Sequence, residues 1–458
     1  MFFHSQTFIF AFLPVVLGVY YALARNERLR HWWIIAASLV FYGWWDVRFL
    51  PLLIGQSAGS WLLAELHFRT RRRWPLIVAI AANFAALACF KYLDFTIGLI
   101  EGATGVPLPR SGLILPIGIS FYTFQIVSYL IDALRGQAPR YELRRLMLFV
   151  VLFPHLIAGP IVRHSEIIPQ FSLDPLRPDA AERVSRGLAM FVIAIAIKIF
   201  LADKLSLLVE PVFQKAAGQV PPLWDAATAF VAFPLQIFFD FASYTDMAIG
   251  LALTMGFSFP QNFNQPYRAL SIRDFWRRWH MTLSRFLRDY LYIPLGGSRH
   301  GPVVFAWATM ATMGLCGLWH GAGVTFVAWG LLHGAGLLVC RAWETLQRPL
   351  PTLLSWPLTF GFVAVLFTFF RAPDFPTAMN ALMGLTATTG LGAAPGQDAI
   401  IPLVAGFGLA LMPASPASLV QRYLRPSRLI ALLLALLAAY ILLELGNGAP
   451  KNFIYFQF

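Results

Sequence analysis

The sequence predicts an all-α, polytopic integral membrane protein on three observations: its composition, the recurrence of long apolar runs, and the placement of its basic residues. Of 458 residues, 58% are hydrophobic and only 12% charged, where a soluble domain carries about a quarter charged residues. Apolar runs of roughly 20 residues, the length that crosses about 30 Å of hydrocarbon as a helix, recur from end to end, and about ten to twelve spans are expected. The net charge of +13, from 35 Lys and Arg against 22 acids, would by itself suit nucleic acid. The basic residues instead fill the gaps between apolar runs: Arg25, Arg28 and Arg30; Arg69 with Arg71, Arg72 and Arg73; 135–145; 268–299; and 422–428. That is the positive-inside pattern, which places these loops in the cytoplasm and makes membrane lipids, not nucleic acid, the partner.

Taken in order, the first run, 8–24, lacks a preceding basic residue and reads as a retained first helix, not a cleaved signal. The chain then crosses through about 31–47, 49–66, 75–97 and 112–134, each reversal landing a basic cluster on one side. The stretch 146–162 is apolar but interrupted by Pro154, Gly159 and Pro160. It suits a re-entrant segment, whose broken backbone is tolerated only where protein or a cavity covers it. Helices over about 187–214 and 225–256 precede a basic, aromatic segment, 257–300, with seven Arg against two Asp. Next comes a hairpin, 302–340, turning at Trp319-His320-Gly321, and three further crossings. No linker suits a second soluble domain and no repeat recurs at a fixed period, so 1–458 reads as one transmembrane domain.

Written as a helix, Arg273, Arg277, His280, Ser284 and Arg288 fall at steps of three and four and form one polar stripe. Phe275, Trp279, Leu283, Phe286 and Tyr290 face the other way, as in an amphipathic helix at a membrane surface. The stripe either anchors in lipid headgroups or binds a phosphate-bearing donor, since Arg forks grip phosphate oxygens in pairs.

His320 stands between two runs almost without polar residues, and a histidine at such a place is a functional hypothesis by default. A neutral imidazole there could take a proton from an attacking hydroxyl; the plainer alternative is a hydrogen-bonded core histidine. His333 lies 13 residues on, roughly the opposite face of a continuous helix, so the pair makes no obvious metal site. A structural histidine and a substrate contact both remain open for it. His4, His31, His67, His155, His164 and His300 sit near run ends, where interfacial placement suffices.

Gly55-Gln56-Ser57-Ala58-Gly59 matches a nucleophile elbow but lacks its strand-turn-helix setting, and the two glycines suit helix packing better. Cys316 could hold an acyl thioester, though a buried cysteine acting as a small hydrophobe is the simpler reading; with Cys89 and Cys340 it forms no paired pattern. Asp240, Tyr244 and Asp246 lie in or beside an apolar run and either line a substrate path or tie helices together.

These residues resemble a known family, the membrane-bound O-acyltransferases, in the bacterial branch of alginate O-acetyltransferase membrane subunits and their relatives. The resemblance covers essentially the whole chain. Its most specific stretches are Arg273-Asp274-Phe275-Trp276-Arg277-Arg278-Trp279-His280 running on to Tyr292-Ile293-Pro294-Leu295-Gly296-Gly297, and Gly317-Leu318-Trp319-His320-Gly321 running on to His333-Gly334. Pro116 to Gln125, Phe153 to Pro160, Asp240 to Asp246 and Phe453 to Phe458 support it. The resemblance implies that His320 is the family's near-invariant histidine and His280 its second polar position. It implies helices around a central funnel or tunnel, in the inner membrane of a bacterium. The donor would be acetyl-coenzyme A or an acyl-carrier thioester, with Arg273, Arg277 and Arg288 near its phosphates, and no metal would be bound. The acetyl group would pass to a periplasmic, serine-hydrolase-like partner and on to a polysaccharide. An acyltransferase acting on a lipid, a protein or, by D-alanylation, a teichoic acid is the alternative. A transporter or flippase is a weaker one, since matching broken helices in two halves are not seen. The sequence topology places His280 on the cytoplasmic side and has His320 approached from the opposite face.

Overall fold

The computed structural model describes residues 1–447 and 453–454, and the described residues are helical, with no strand among them. Among the described residues, seven helices are long and apolar enough to cross a membrane: Val47–Thr70, Trp74–Thr104, Leu223–Thr254, Gly301–His320, Val324–Thr345, Thr352–Arg371 and Arg428–Leu445. Three shorter apolar helices, Phe8–Ala22, Ile119–Leu134 and Gln397–Ala410, accompany them. The helix Glu27–Gly43, where a span over about 31–47 was expected, has 17 residues and opens on Glu27, Arg28, Arg30 and His31, so it is not among the long apolar helices. The protein is an all-helical, multi-pass membrane protein. Its helices group into two compact units.

The first unit comprises Met1–Val192, Thr245–Pro260 and Tyr423–Gly448. Within it, residues 146–162 are buried throughout. They form the helix Leu143–Val151 and the short helix Phe153–Leu156, then continue without regular structure. Pro154 opens the short helix, and a Cβ on Gly159 would stand 2.5 Å from the Cα of His155, so only glycine lets the chain fold back there. The Phe153 N–H donates to the Ser38 hydroxyl at 3.1 Å, and His155 Nε2 donates to the Phe149 carbonyl at 2.8 Å. Interrupted backbone survives here because protein surrounds it.

Two expectations fail in this unit. The region around Gly55 and Gly59 is uninterrupted helix in which the Ser57 hydroxyl donates to the Leu53 carbonyl at 2.7 Å, which excludes the nucleophile elbow. Nothing lies within 4 Å of a Cβ built on either glycine, so they are not packing contacts either. The small-residue contact is made by Gly187 and Gly250, where a Cβ on each would meet the other's carbonyl oxygen at 2.5 and 2.6 Å. The second failure concerns histidines: His4, His31, His155 and His164 are buried, not interfacial. Polar partners make this possible. His31 Nε2 donates to the Phe171 carbonyl at 2.9 Å, and His164 reaches the Asp132 carboxylate and the Tyr141 hydroxyl, each at 3.1 Å.

The second unit comprises Ile193–Tyr244, Gln261–Arg422 and Ala449–Phe458; of the terminal segment that supported the resemblance, 455–458 lie outside the described residues. Its central feature is the antiparallel hairpin of Gly301–His320 and Val324–Thr345. The two helices touch backbone to backbone: a Cβ on Gly317 would fall on the Phe326 carbonyl, and one on Gly330 on the Met313 carbonyl. Asp240 answers the question left open for it. Its carboxylate pairs with the buried Lys198 at 2.6 Å, Lys198 also pairs with Asp203 at 2.6 Å, and the Ile454 N–H donates to Asp240 at 2.6 Å. Tyr244 stacks on Phe453, ring centroids 4.7 Å apart. These residues tie elements together.

Candidate active site

His320 is the last residue of Gly301–His320, and the extended Gly321 ends the helix. A Cβ on Gly321 would collide with the Phe326 ring, which explains the glycine after the histidine. The buried imidazole is walled by Trp319, Trp329 and Phe370, with ring centroids at 4.9, 5.1 and 5.3 Å. Because the helix breaks at 321–323, the continuous-helix estimate that separated His320 from His333 does not apply. Both pack on Trp329, His333 at 4.8 Å. His333 Nδ1 accepts from the Trp276 indole N–H at 3.3 Å, a bond to a neighbouring helix that favours the structural reading of His333.

His280 lies elsewhere than the stripe predicts. The helix Ile272–Arg278 ends before it, Trp279 is extended, and His280 adopts the left-handed conformation with φ 43° and ψ 51°, ahead of a second helix, Met281–Leu287. The stripe is therefore broken in its middle, and His280 turns inward to full burial. Its ring centroid stands 6.3 Å from that of His320. The two buried imidazoles are neighbours, where the sequence topology had assigned them to opposite sides.

Positive φ is uncommon for a residue with a side chain and persists only where the surroundings enforce it. Here Asn262 enforces it. The Asn262 backbone carbonyl accepts from Met281 N–H at 2.8 Å, and its side-chain Oδ1 accepts from the Thr282 N–H at 3.3 Å and the Thr282 hydroxyl at 2.9 Å. The same Oδ1 lies 3.0 Å from His280 Nδ1. An oxygen that accepts from Thr282 accepts from the imidazole too, so Nδ1 carries the proton and Nε2 the lone pair. Among the described residues, Nε2 has no hydrogen-bond partner. His280 is outside the long apolar helices, and burial pushes its imidazole down to about 3, so it is neutral. Sequence reasoning missed Asn262, since an asparagine in the polar stretch Gln261-Asn262-Phe263-Asn264-Gln265 carries no signal of burial.

The arginines divide. Arg273 and Arg288 flank a cavity of about 200 Å³ whose walls include Trp276, Ser284, Tyr292 and Thr312. Arg273 pairs with Glu344 at 2.6 Å and Arg288 with Asp289 at 2.7 Å. Arg277 is exposed and does not line the cavity. The Thr312 hydroxyl is buried without a partner among the described residues. From this cavity the rings of Trp276 and Trp329, 5.8 Å apart, lead to His320. Cys316 is wholly buried. Among the described residues no three metal-ligating side chains come together.

A polar pair enclosed by aromatic rings, beside an arginine-flanked cavity, suits proton transfer away from water. Comparison with known proteins agrees with the resemblance noted in the sequence. Residues 73–372 match the model of the membrane-bound O-acyltransferase family. The chain is 40% identical to the probable alginate O-acetylase of Pseudomonas aeruginosa over 82% of its own length and 73% of the relative's. It is 37% identical to the peptidoglycan O-acetyltransferase of Helicobacter pylori over 85% and 80%, and 30% identical to the teichoic acid D-alanyltransferase of Bacillus subtilis over 58% and 71%. The chain belongs to the membrane-bound O-acyltransferase family and is a multi-pass membrane acyltransferase.

Proposed function

We propose that this chain takes an acetyl group from a cytoplasmic thioester, on coenzyme A or an acyl carrier, and passes it across the bacterial inner membrane for O-acetylation of a polysaccharide. A periplasmic, serine-hydrolase-like partner completes the transfer. The observation that carries this reading is the approach of His280 and His320 to 6.3 Å, next to the cavity flanked by Arg273 and Arg288. In the step itself the acceptor oxygen attacks the thioester carbonyl carbon, the carbon–sulfur bond breaks, His320 takes the hydroxyl proton and returns it to the leaving thiolate. His280, fixed by Asn262, orients donor or imidazole. Arg273 and Arg288 neutralise the donor's phosphates. The names of the alginate and peptidoglycan relatives support an acetyl group and a polysaccharide acceptor.

The test is His320→Ala in the native host. Ester-linked acetyl on envelope polysaccharide, read by mass spectrometry, is expected to fall a hundredfold or more, the usual contribution of a general base being about 10²–10⁴. The variant should still insert and migrate as a single species in detergent. Near-normal acetylation would overturn the reading, and appearance of D-alanyl esters in place of acetyl would transfer it to the other branch of the family.

A further inference from the structure

In the first unit, the helix Arg428–Asn447 opens beside the helix Ala180–Ile197. The apolar part of the former, Arg428–Leu445, has a mean hydropathy of 2.3 and is only 6% buried, so hydrocarbon must cover most of it. Along its first turns runs a groove of about 240 Å³, formed by Ser185 and Leu188 on one helix and Leu424, Ile430, Ala431 and Leu434 on the other side. The connector entering it is fastened by Arg186, whose Nε–H donates to the Leu424 carbonyl at 3.0 Å and whose guanidinium pairs with Glu182 at 2.6 Å. That arginine is used within the protein.

Arg425 and Arg428 are not. Both are exposed, and neither makes an ion pair among the described residues. Between them, the Ser427 hydroxyl accepts from the Ile430 N–H at 3.2 Å and caps the helix start, which adds the positive end of a helix dipole to the same rim. The positive-inside pattern puts this rim at the cytoplasmic leaflet, where anionic lipids reside. An apolar slot whose lining residues Leu424, Pro426 and Ser427 are the chain neighbours of two exposed arginines, Arg425 and Arg428, matches a ligand with a hydrocarbon chain and a net negative headgroup. A free phosphate would leave the slot unused, and a zwitterionic lipid would leave the charge unanswered.

We propose that this groove binds one anionic phospholipid, its phosphate on Arg425 and Arg428 and an acyl chain along Leu188, Ile430 and Leu434. Purified full-length chain is exchanged into detergent doped equally with dioleoyl-phosphatidylglycerol and dioleoyl-phosphatidylcholine, and retained lipid is read by native mass spectrometry. Phosphatidylglycerol adducts are expected to predominate. In the surface variant R425Q/R428Q they should fall roughly 25-fold at low salt, about fivefold for each arginine. Ala431→Trp fills the slot and should lower retention several-fold with both arginines intact. Equal retention of the two lipids, unchanged phosphatidylglycerol in R425Q/R428Q or in Ala431→Trp, or a second copy of the chain bound in place of lipid would each overturn the proposal.

Discussion

His280 and His320 stand 40 residues apart in the chain, yet their imidazole planes meet at 61° with centroids 6.3 Å apart. Two groups serving one step do not contribute independently. In single-turnover acetyl transfer from radiolabelled acetyl-coenzyme A, His280→Ala should slow the reaction, and the double variant should be about as slow as His320→Ala alone. Multiplication of the two single losses would show that the histidines act separately.

Asn262 holds His280 by one oxygen that also serves Thr282. Asn262→Ala leaves these buried donors unpaired, at a cost of about 1–3 kcal/mol; a lower unfolding temperature and a lower kcat with little change in KM are expected. The proton balance adds a second reading. His280 falls from an ordinary 6.5 to about 3 on burial, and a lowered folded-state value means its contribution is complete above pH 6.5 and is lost as pH falls toward 3. Wild-type protein should lose stability relative to His280→Asn across that window, measured by thermal unfolding in detergent, and parallel curves would refute it.

Cavity geometry separates the arginines. Arg273→Gln and Arg288→Gln should raise the donor KM roughly tenfold each, since a hydrogen bond to a charged group contributes about 1.5–3 kcal/mol, while acceptor KM stays unchanged. Arg277→Gln, which removes an exposed group away from the cavity, should resemble wild type in donor titrations. Equal effects from all three would restore the headgroup-anchor reading of the stripe.

Removing one partner of a buried ion pair strands the other. Lys198→Ala, which strands both Asp240 and Asp203, should cost about 3–5 kcal/mol, whereas K198M/D203N/D240L, which removes all three charges, should cost less. Unfolding temperatures of the two variants decide it; a triple variant at least as damaged as the single would show that Lys198, Asp203 and Asp240 contribute by packing alone.

Much of this was legible in the sequence, and the misses share a physical origin. His320 was conspicuous because a titratable ring between apolar runs is costly unless it has a purpose. The interrupted stretch 146–162 was legible because proline and glycine act locally. His280 was found as a residue but misplaced as a side chain, because the 3.6-residue period was extended through a backbone that reverses at φ 43°. The same extension across 321–323 separated His320 from His333. Asn262 was silent, since its worth lies in a contact 18 residues away. Gly55 and Gly59 had the spacing of a packing motif, but spacing does not say whether a neighbour is there; Gly187 and Gly250, from distant segments, make the contact.

The hairpin that carries His320 has no room for a side chain where Gly317 meets the Phe326 carbonyl and Gly330 the Met313 carbonyl. Main chain against main chain leaves no rotamer to adjust, so neither helix can slide or twist to suit a different ligand. The imidazole is thus a fixed post, and reactants must be brought to it. Any shift in the acyl group accepted must therefore arise in the side chains around the post, Trp319, Trp329 and Phe370, while the backbone of the hairpin stays constant.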